Sequence, residues 1–329
     1  MNCIALAGGV GGAKLADGLA RATDADSLTI VVNTGDDFDL HGLRISPDLD
    51  TVMYTLAGIA NPETGWGIAG DTWHNFEMLD RYGVAPWFRL GDRDLATHLL
   101  RTELLADGQP LSAVTRELCG RLNVTPRVMP MTDDRVRTIV DSELGLLPFQ
   151  EYFVKHHWQP TVRGIIFEGC EEAEAAPGML RAIETADTIV ICPSNPYLSI
   201  DPILALRGVR DVLLNATAPI IAVTPIIAGE AVKGPAAKLM RELGLEPSAV
   251  EVARHYADFV NGFALDTRDA ALASQIEAMG IGVLVTDTLM TTPDDRARLA
   301  CEVVGFADRL RPEKLGGCKL QQPDERSGA

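Results

Sequence analysis

Gly8, Gly9, Gly11 and Gly12 crowd into five positions directly behind the apolar run Cys3–Ala7, with Lys14 two residues on. A buried strand that breaks into glycines before a helix lets backbone N–H groups approach a phosphate. The helix N-terminus adds the positive end of its dipole. The spacing matches neither common nucleotide fingerprint. Counted from Gly9, Lys14 stands where Gly-x-Gly-x-x-Gly needs its last glycine, and no Gly-Lys-Ser/Thr follows. A tight strand-to-helix turn would use the same residues, but the lysine in the first helical turn favours an anion.

Two acidic clusters follow. Asn33-Thr34-Gly35-Asp36-Asp37-Phe38-Asp39 leaves a second apolar run, and Ser46-Pro47-Asp48-Leu49-Asp50-Thr51 opens a helix. Ser as N-cap, Pro at the first helical position and acids in the first turn are ordinary helix-start chemistry. Two such clusters behind a phosphate loop also offer the hard oxygen ligands that Mg²⁺ takes, one or two carboxylates plus phosphate oxygens. Leu90-Gly91-Asp92-Arg93-Asp94-Leu95-Ala96-Thr97-His98 reads as a turn and helix start. Arg93 could fork onto a phosphate or a planar ring, and Asp94 and His98 share a helix face at i, i+4. An exposed ion pair accounts for that spacing equally well. Cys192-Pro193-Ser194-Asn195-Pro196 is a stiff loop with donors and acceptors, and Lys233-Gly234-Pro235 could bring a second lysine to anionic groups. No Gly-x-Ser-x-Gly elbow, Cys-x-x-Cys or His-Glu-x-x-His is present, so neither a covalent nucleophile nor a zinc site is expected.

The elements that must carry these residues are short apolar runs alternating with helical patterns. Cys3–Ala7, Leu28–Asn33, Arg163–Phe167, Thr188–Cys192, Ile220–Thr224, Val260–Leu265 and Gly282–Val285 read as buried strands. Lys14–Ala22, Thr51–Gly58, Thr72–Tyr82, Asp92–Ala106, Pro235–Leu243, Asp269–Met279 and Asp294–Leu310 read as helices. The pattern predicts an α/β fold, a Rossmann-like, mostly parallel sheet with helices on both faces. Residues 47–122 carry helices and turns but no convincing strand, and form a helical insertion after the second strand. The core then comprises 1–46 and 123–310. Within 127–158, Val136–Val140 alternates and Phe149–His157 is mixed, which suggests one or two antiparallel strands. Residues 311–329 read as a flexible tail.

The chain has 329 residues and a net charge of −17, so its long-range field disfavours nucleic acid and anionic membranes. A phosphorylated ligand would need local cations, helix N-termini or a divalent metal. No run approaches the ~20 apolar residues of a membrane helix. The first residues show no basic stretch or cleavage site, so a cytoplasmic protein is expected. The six cysteines, at 3, 119, 170, 192, 301 and 318, read as reduced, buried small hydrophobes.

Taken in order, Gly8–Lys14, Asn33–Asp37, Ile45–Thr51, Leu90–His98, Pro193–Pro196, Lys233–Pro235 and Asp287–Thr291 resemble the 2-phospho-L-lactate transferase family of coenzyme F420 biosynthesis (CofD/FbiA). Each motif is weak alone; the ordered set is specific and spans the chain to about residue 310. The resemblance implies that a guanosine-activated phospho-acid is joined to the deazaflavin alcohol Fo. Its terminal hydroxyl attacks the phosphorus nearer the acid, GMP leaves, and Mg²⁺ is the cofactor. A guanylyltransferase would supply the donor. On that reading Gly8, Gly9, Gly11, Gly12, Lys14, Ser194, Asn195, Lys233 and Gly234 hold the nucleotide end, and Asp36 and Asp50 hold Mg²⁺. Asp37 or Asp48 assists or accepts the hydroxyl proton. Asp50 and Arg93 meet Fo in a pocket of the insertion, which carries Trp66, Trp73 and Trp87. Two alternatives are a nucleotide-sugar-binding regulator of the gluconeogenesis-factor type and an NAD-dependent dehydrogenase. The first resembles this family in the glycine loop and Asp-Asp turn but lacks the Pro-Asp-Leu-Asp-Thr and Gly-Asp-Arg-Asp stretches. Lys14 in the glycine position argues against the second. The identity of the acid stays open among phosphoenolpyruvate, 2-phospholactate and 3-phosphoglycerate, and a homodimer is neither required nor excluded.

Overall fold

Along the first strand, Cys3, Ala5 and Ala7 pack into one buried cluster while Ile4 and Leu6 pack into another. The same alternation of partners recurs in the second strand, where Ile30 and Val32 face one cluster and Val31 the other. Strands buried on both faces in this way need cover on both sides, and parallel strands get it from their crossover helices. The computed structural model describes residues 1–84 and 87–311. It shows β1 (Cys3–Ala7), β2 (Leu28–Val32), β3 (Arg127–Pro130), β4 (Thr188–Ile191), β5 (Ile220–Val223), β6 (Gly262–Asp266) and β7 (Gly282–Thr286) in a single sheet. The order is β7-β6-β5-β4-β1-β2-β3, and every neighbouring pair is parallel. The expected Rossmann-like sheet is therefore present. The strand order reverses between β1 and β4, and a crevice opens at such a switch point beyond the C-terminal ends of the strands.

Three local expectations change. Arg163–Phe167 is not in the parallel sheet. It lies in Val162–Glu168, which pairs antiparallel with Arg137–Ser142, itself paired with Gly145–Pro148. Its half-exposed faces mark it as the edge of a separate three-stranded sheet. The seventh parallel strand is β3, whose four residues end in a proline and carry too little pattern to stand out. Within Phe149–His157, Glu151–Lys155 forms a wide helical turn instead of a strand. A hairpin, Phe38–Leu40 with Leu43–Ile45, turns at His41 and Gly42, both with positive φ, the geometry that matches strand twist in tight hairpins.

Helix α1 (Gly9–Ala22) starts directly after Gly8, so most of the glycine loop is the helix's first turn. Next come α2 (Pro47–Leu56), α3 (His74–Arg81), α4 (Asp92–Ala106) and α5 (Leu111–Arg121). Leu49, Val52 and Met53 of α2 and Val114 and Leu118 of α5 share one buried cluster with Leu15 and Leu19 of α1. The long helix Pro293–Leu310 closes that face, with Leu299 and Val303 in the same cluster. Cys3, Cys119, Cys170 and Cys192 are buried; Cys301 is exposed, against expectation, and Cys318 lies outside the described residues, as does the expected tail from 312 onward.

Candidate active site

The turns after β1, β2, β4, β5 and β7 converge on a cavity of about 710 Å³. Gly8, Gly9, Val10, Gly11 and Lys14 form part of its wall, with Ser194, Asn195, Lys233 and Gly234 beside them and Asp36, Asp48 and Asp50 also lining it. Gly12, Asp37 and Arg93, expected in the site, are not among its lining residues.

The glycines differ in role. A Cβ on Gly11 would run into the carbonyl oxygen of Pro193, and one on Gly12 would crowd Ser194 Oγ and Ala7. These two positions are glycine because α1 packs against the turn after β4. Ser194 ties the turn down further, since its hydroxyl lies 3.0 Å from the Gly8 N–H and 2.8 Å from the Gly8 carbonyl. Gly9 has a positive φ and an otherwise open Cβ direction, which leaves its backbone facing the cavity. Asn195 spends its carbonyl oxygen as a helix cap, accepting from Tyr197 N and Leu198 N.

Lys14 Nζ donates to the Met290 carbonyl at 2.7 Å, and Lys233 Nζ to the Thr64 carbonyl at 3.0 Å. Burial, followed by the neighbouring charges of Arg296 and Lys233, lowers the Lys14 amine below its ordinary pKa. Cations that repel one another in a chain of net charge −17 mark a place for an anion.

Across the cavity stand the carboxylates. Asn33, at the end of β2, accepts from Gly35 N through Oδ1 and donates Nδ2–H to Asp48 Oδ2 at 3.0 Å, so one amide locks the acidic turn to α2. Asp36 Oδ1 is buried with no partner. Burial, and then the charge of Asp48, push the Asp36 carboxyl well above the usual range; burial likewise raises Asp48, against hydrogen bonds from Asn33 and Gly9. Asp37 faces away, accepting from Ser46 Oγ at 2.6 Å. Ser46 is thus the N-cap of α2 by position only, because its hydroxyl serves Asp37.

Asp50 is held differently from the expected metal ligand. Both of its oxygens meet the guanidinium of Arg101, Oδ2 at 3.0 Å from Nη1 and Oδ1 on Nη2. Arg101 was missed in the sequence, although it stands with Asp94 and His98 at i, i+4, i+7 on one face of α4. All three are buried, so Asp94 and His98 are no exposed ion pair. Asp50, Asp94 and His98 could by proximity hold a metal, but the Asp50 oxygens are already taken by a cation. The metal-ligand expectation therefore moves from Asp50 to Asp48, which faces Asp36 without a neutralising partner.

Aromatic rings supply another part of the wall: Trp66, Trp87, Phe88, Phe149, Phe153 and Trp158. Phe149 and Phe153 stack with centroids 5.3 Å apart. Trp73 is not a lining residue; its ring carries the Arg89 guanidinium 4.4 Å above it. Trp158 was not expected here, and it follows His157 in two consecutive left-handed residues that no periodicity signals. Arg93 sits at the start of α4 with its backbone N–H on Asp71 and its side chain 3.4 Å from the Ala69 carbonyl. Among the described residues, the arginine that lines the cavity is Arg89.

A sequence model of the family described as 2-phospho-L-lactate transferase CofD matches residues 3–289. A phosphoenolpyruvate transferase of Streptomyces griseus is 44% identical over 317 residues, covering 94% of this chain and all of that protein. One of Mycobacterium tuberculosis is 41% identical over 93% of this chain and 99% of its own. A 2-phospho-L-lactate transferase of Methanosarcina acetivorans is 40% identical over 93% of this chain and 99% of its own. Among solved structures, a UPF0052 protein of Bacillus halodurans superposes with a TM-score of 0.60 over 92% of this chain and 98% of that one, at 16% identity, a likeness of fold.

Proposed function

This chain belongs to the 2-phospho-L-lactate transferase CofD family and is a transferase of coenzyme F420 biosynthesis, and we propose that it moves a phospho-acid from a guanosine diphosphate diester to the deazaflavin Fo, with release of GMP. The observation that carries this reading is a single cavity in which lysines and a helix start, an unneutralised aspartate pair and aromatic rings all meet. Phosphoryl-group transfer asks a protein for positioning and charge neutralisation more than for covalent help.

The parts divide the work. The N–H groups at the N-terminus of α1, Lys14 and Lys233 receive the nucleotide's phosphates. Asp36 and Asp48 fit a divalent cation, because two buried carboxylates without a counter-charge, one with an orphaned oxygen, are costly until a cation sits between them. Bound there, Mg²⁺ would neutralise the diphosphate. The rings of Trp66, Trp87 and Trp158 give a planar acceptor flat apolar surface. Asp50 accepts a hydrogen bond from the acceptor's terminal hydroxyl and aims its oxygen at the phosphorus. The new P–O bond forms as the bond to GMP breaks, GMP leaves with the electron pair, and the hydroxyl proton passes to the phosphate of the departing GMP.

The names of the relatives favour phosphoenolpyruvate or 2-phospholactate as the transferred acid, with 3-phosphoglycerate the third candidate. The test is to mix the protein with Mg²⁺, Fo and each synthetic donor, and to follow GMP and the deazaflavin product by mass spectrometry. No GMP release with any of the three donors would sink the reading.

A further inference from the structure

The buried network behind Asp50 has an order that can be read atom by atom. Arginine has only donors, so where Arg101 Nη1 lies 3.2 Å from His98 Nδ1, that nitrogen must accept. The ring proton is then on Nε2, which lies 3.4 Å from Asp94 Oδ1 without a hydrogen bond to it. Tyr54 donates its hydroxyl to the same Asp94 oxygen at 2.8 Å. Hydrogen bonds therefore run from Tyr54 into Asp94, and from Arg101 into both His98 and Asp50. Arg101 is 1% exposed, and its Nε has no hydrogen-bond partner. An ion pair buried at this depth gains little stability over an apolar replacement, and an orphaned guanidinium donor makes the balance worse. The arrangement is therefore hard to explain as scaffold. The carboxylate it forks onto, Asp50, lies on the cavity wall, as do Tyr54, Asp94 and His98.

We propose that Arg101 is a positioning residue of the acceptor site: its fork fixes the rotation of the Asp50 carboxylate, so that the lone pairs left over face the cavity and orient the acceptor's hydroxyl. The same fork closes the Asp50–Asp94–His98 cluster to metal and so keeps a divalent cation at Asp36 and Asp48. His98 braces Arg101, and it lines the cavity beside Asp50 together with Asp94 and Tyr54. The inference rests on the reading that a hydroxyl-bearing acceptor meets Asp50, and its contacts lie away from the groups that receive the nucleotide.

The test is steady-state transfer with Fo and donor in Mg²⁺, run on the wild type, Asp50→Asn, Arg101→Lys, Arg101→Met and the double variant Asp50→Asn/Arg101→Met, alongside thermal melts and calorimetric GDP binding. Lysine keeps the charge but cannot fork. Arg101→Lys should lower kcat about 100-fold, the scale of a misplaced reacting group. The KM for the donor and the GDP affinity should stay within about twofold of wild type. The double variant should be no slower than Asp50→Asn alone, because the proposed role of Arg101 runs through that carboxylate and not through His98. If Arg101→Met fails to fold, the lysine variant and the charge-free double variant still decide. A folded Arg101→Lys protein with wild-type kcat overturns the proposal, as does a double variant that multiplies the two single losses. A wild type that transfers nothing to Fo overturns the functional reading itself, whereas wild-type turnover with an unaffected lysine variant overturns only the role of Arg101.

Discussion

Asp37→Asn should make the protein more stable at neutral pH, by an amount that depends on pH in a defined way. The Asp37 carboxylate is enclosed: Ser46 donates to Oδ2, Oδ1 has no partner, and Arg44 Nε, the cation paired with it, lies 3.9 Å away. Burial pushes its pKa from 3.8 up to about 7, against the pull of Arg44 and Ser46. The folded state then binds this proton more tightly than the unfolded chain does. Its stabilising contribution is complete below the unfolded value and is lost as pH rises through the folded one. At ~1.4 kcal/mol per pH unit the whole gap amounts to about 4 kcal/mol, of which about 3 falls between pH 4.5 and 8. Asparagine carries no charge and can still accept from Ser46, so it escapes that loss. In a chain of this size ~2 °C accompanies each kcal/mol, so the Tm advantage of Asp37→Asn over wild type should grow by about 6 °C across that range. Scanning calorimetry of both proteins in EDTA reads this directly. A Tm difference that stays constant with pH would refute the reasoning, and would mean that Arg44 keeps Asp37 ionised throughout. Since Asp37 does not line the cavity, kcat should stay within about tenfold of wild type.

Other variants separate ligands from scaffold. Asp36→Asn and Asp48→Asn should each cut turnover by at least about 100-fold and abolish the Tm increase on adding Mg²⁺ expected of the wild type; full wild-type activity in excess EDTA would contradict both. Gly11→Ala should cost about 1–3 kcal/mol of stability by pressing a methyl group onto the Pro193 carbonyl, measured by urea unfolding, and an unchanged midpoint would show that the turn can give way. Arg93→Ala should leave the KM for the acceptor within about twofold of wild type, because that guanidinium lies against the Ala69 carbonyl outside the cavity lining; a large rise would return it to the acceptor.

The sheet was legible because a strand buried on both faces must be apolar throughout: Cys3–Ala7, Thr188–Ile191 and Ile220–Val223 advertise themselves without any partner in view. The glycine turn, Lys14, and the aspartates after β2 and at the start of α2 were legible for a similar reason, since glycines and clustered acids at element ends carry local chemistry. β3 was not, because four residues ending in proline hold too little pattern. Nor was the 149–158 wall, whose left-handed pair at His157 and Trp158 is imposed by its surroundings. Above all, local sequence could not show which carboxylate would keep its charge unpaired. Asp48 and Asp50 are two residues apart in the same helical turn, and each is an acceptable metal ligand by type. Arg101, fifty-one residues beyond Asp50, takes both oxygens of one and leaves the other facing Asp36. Local sequence chose the kinds of groups at the strand ends; the choice between two like groups was made by a long-range contact, because the cost of a buried charge depends on what stands beside it in space.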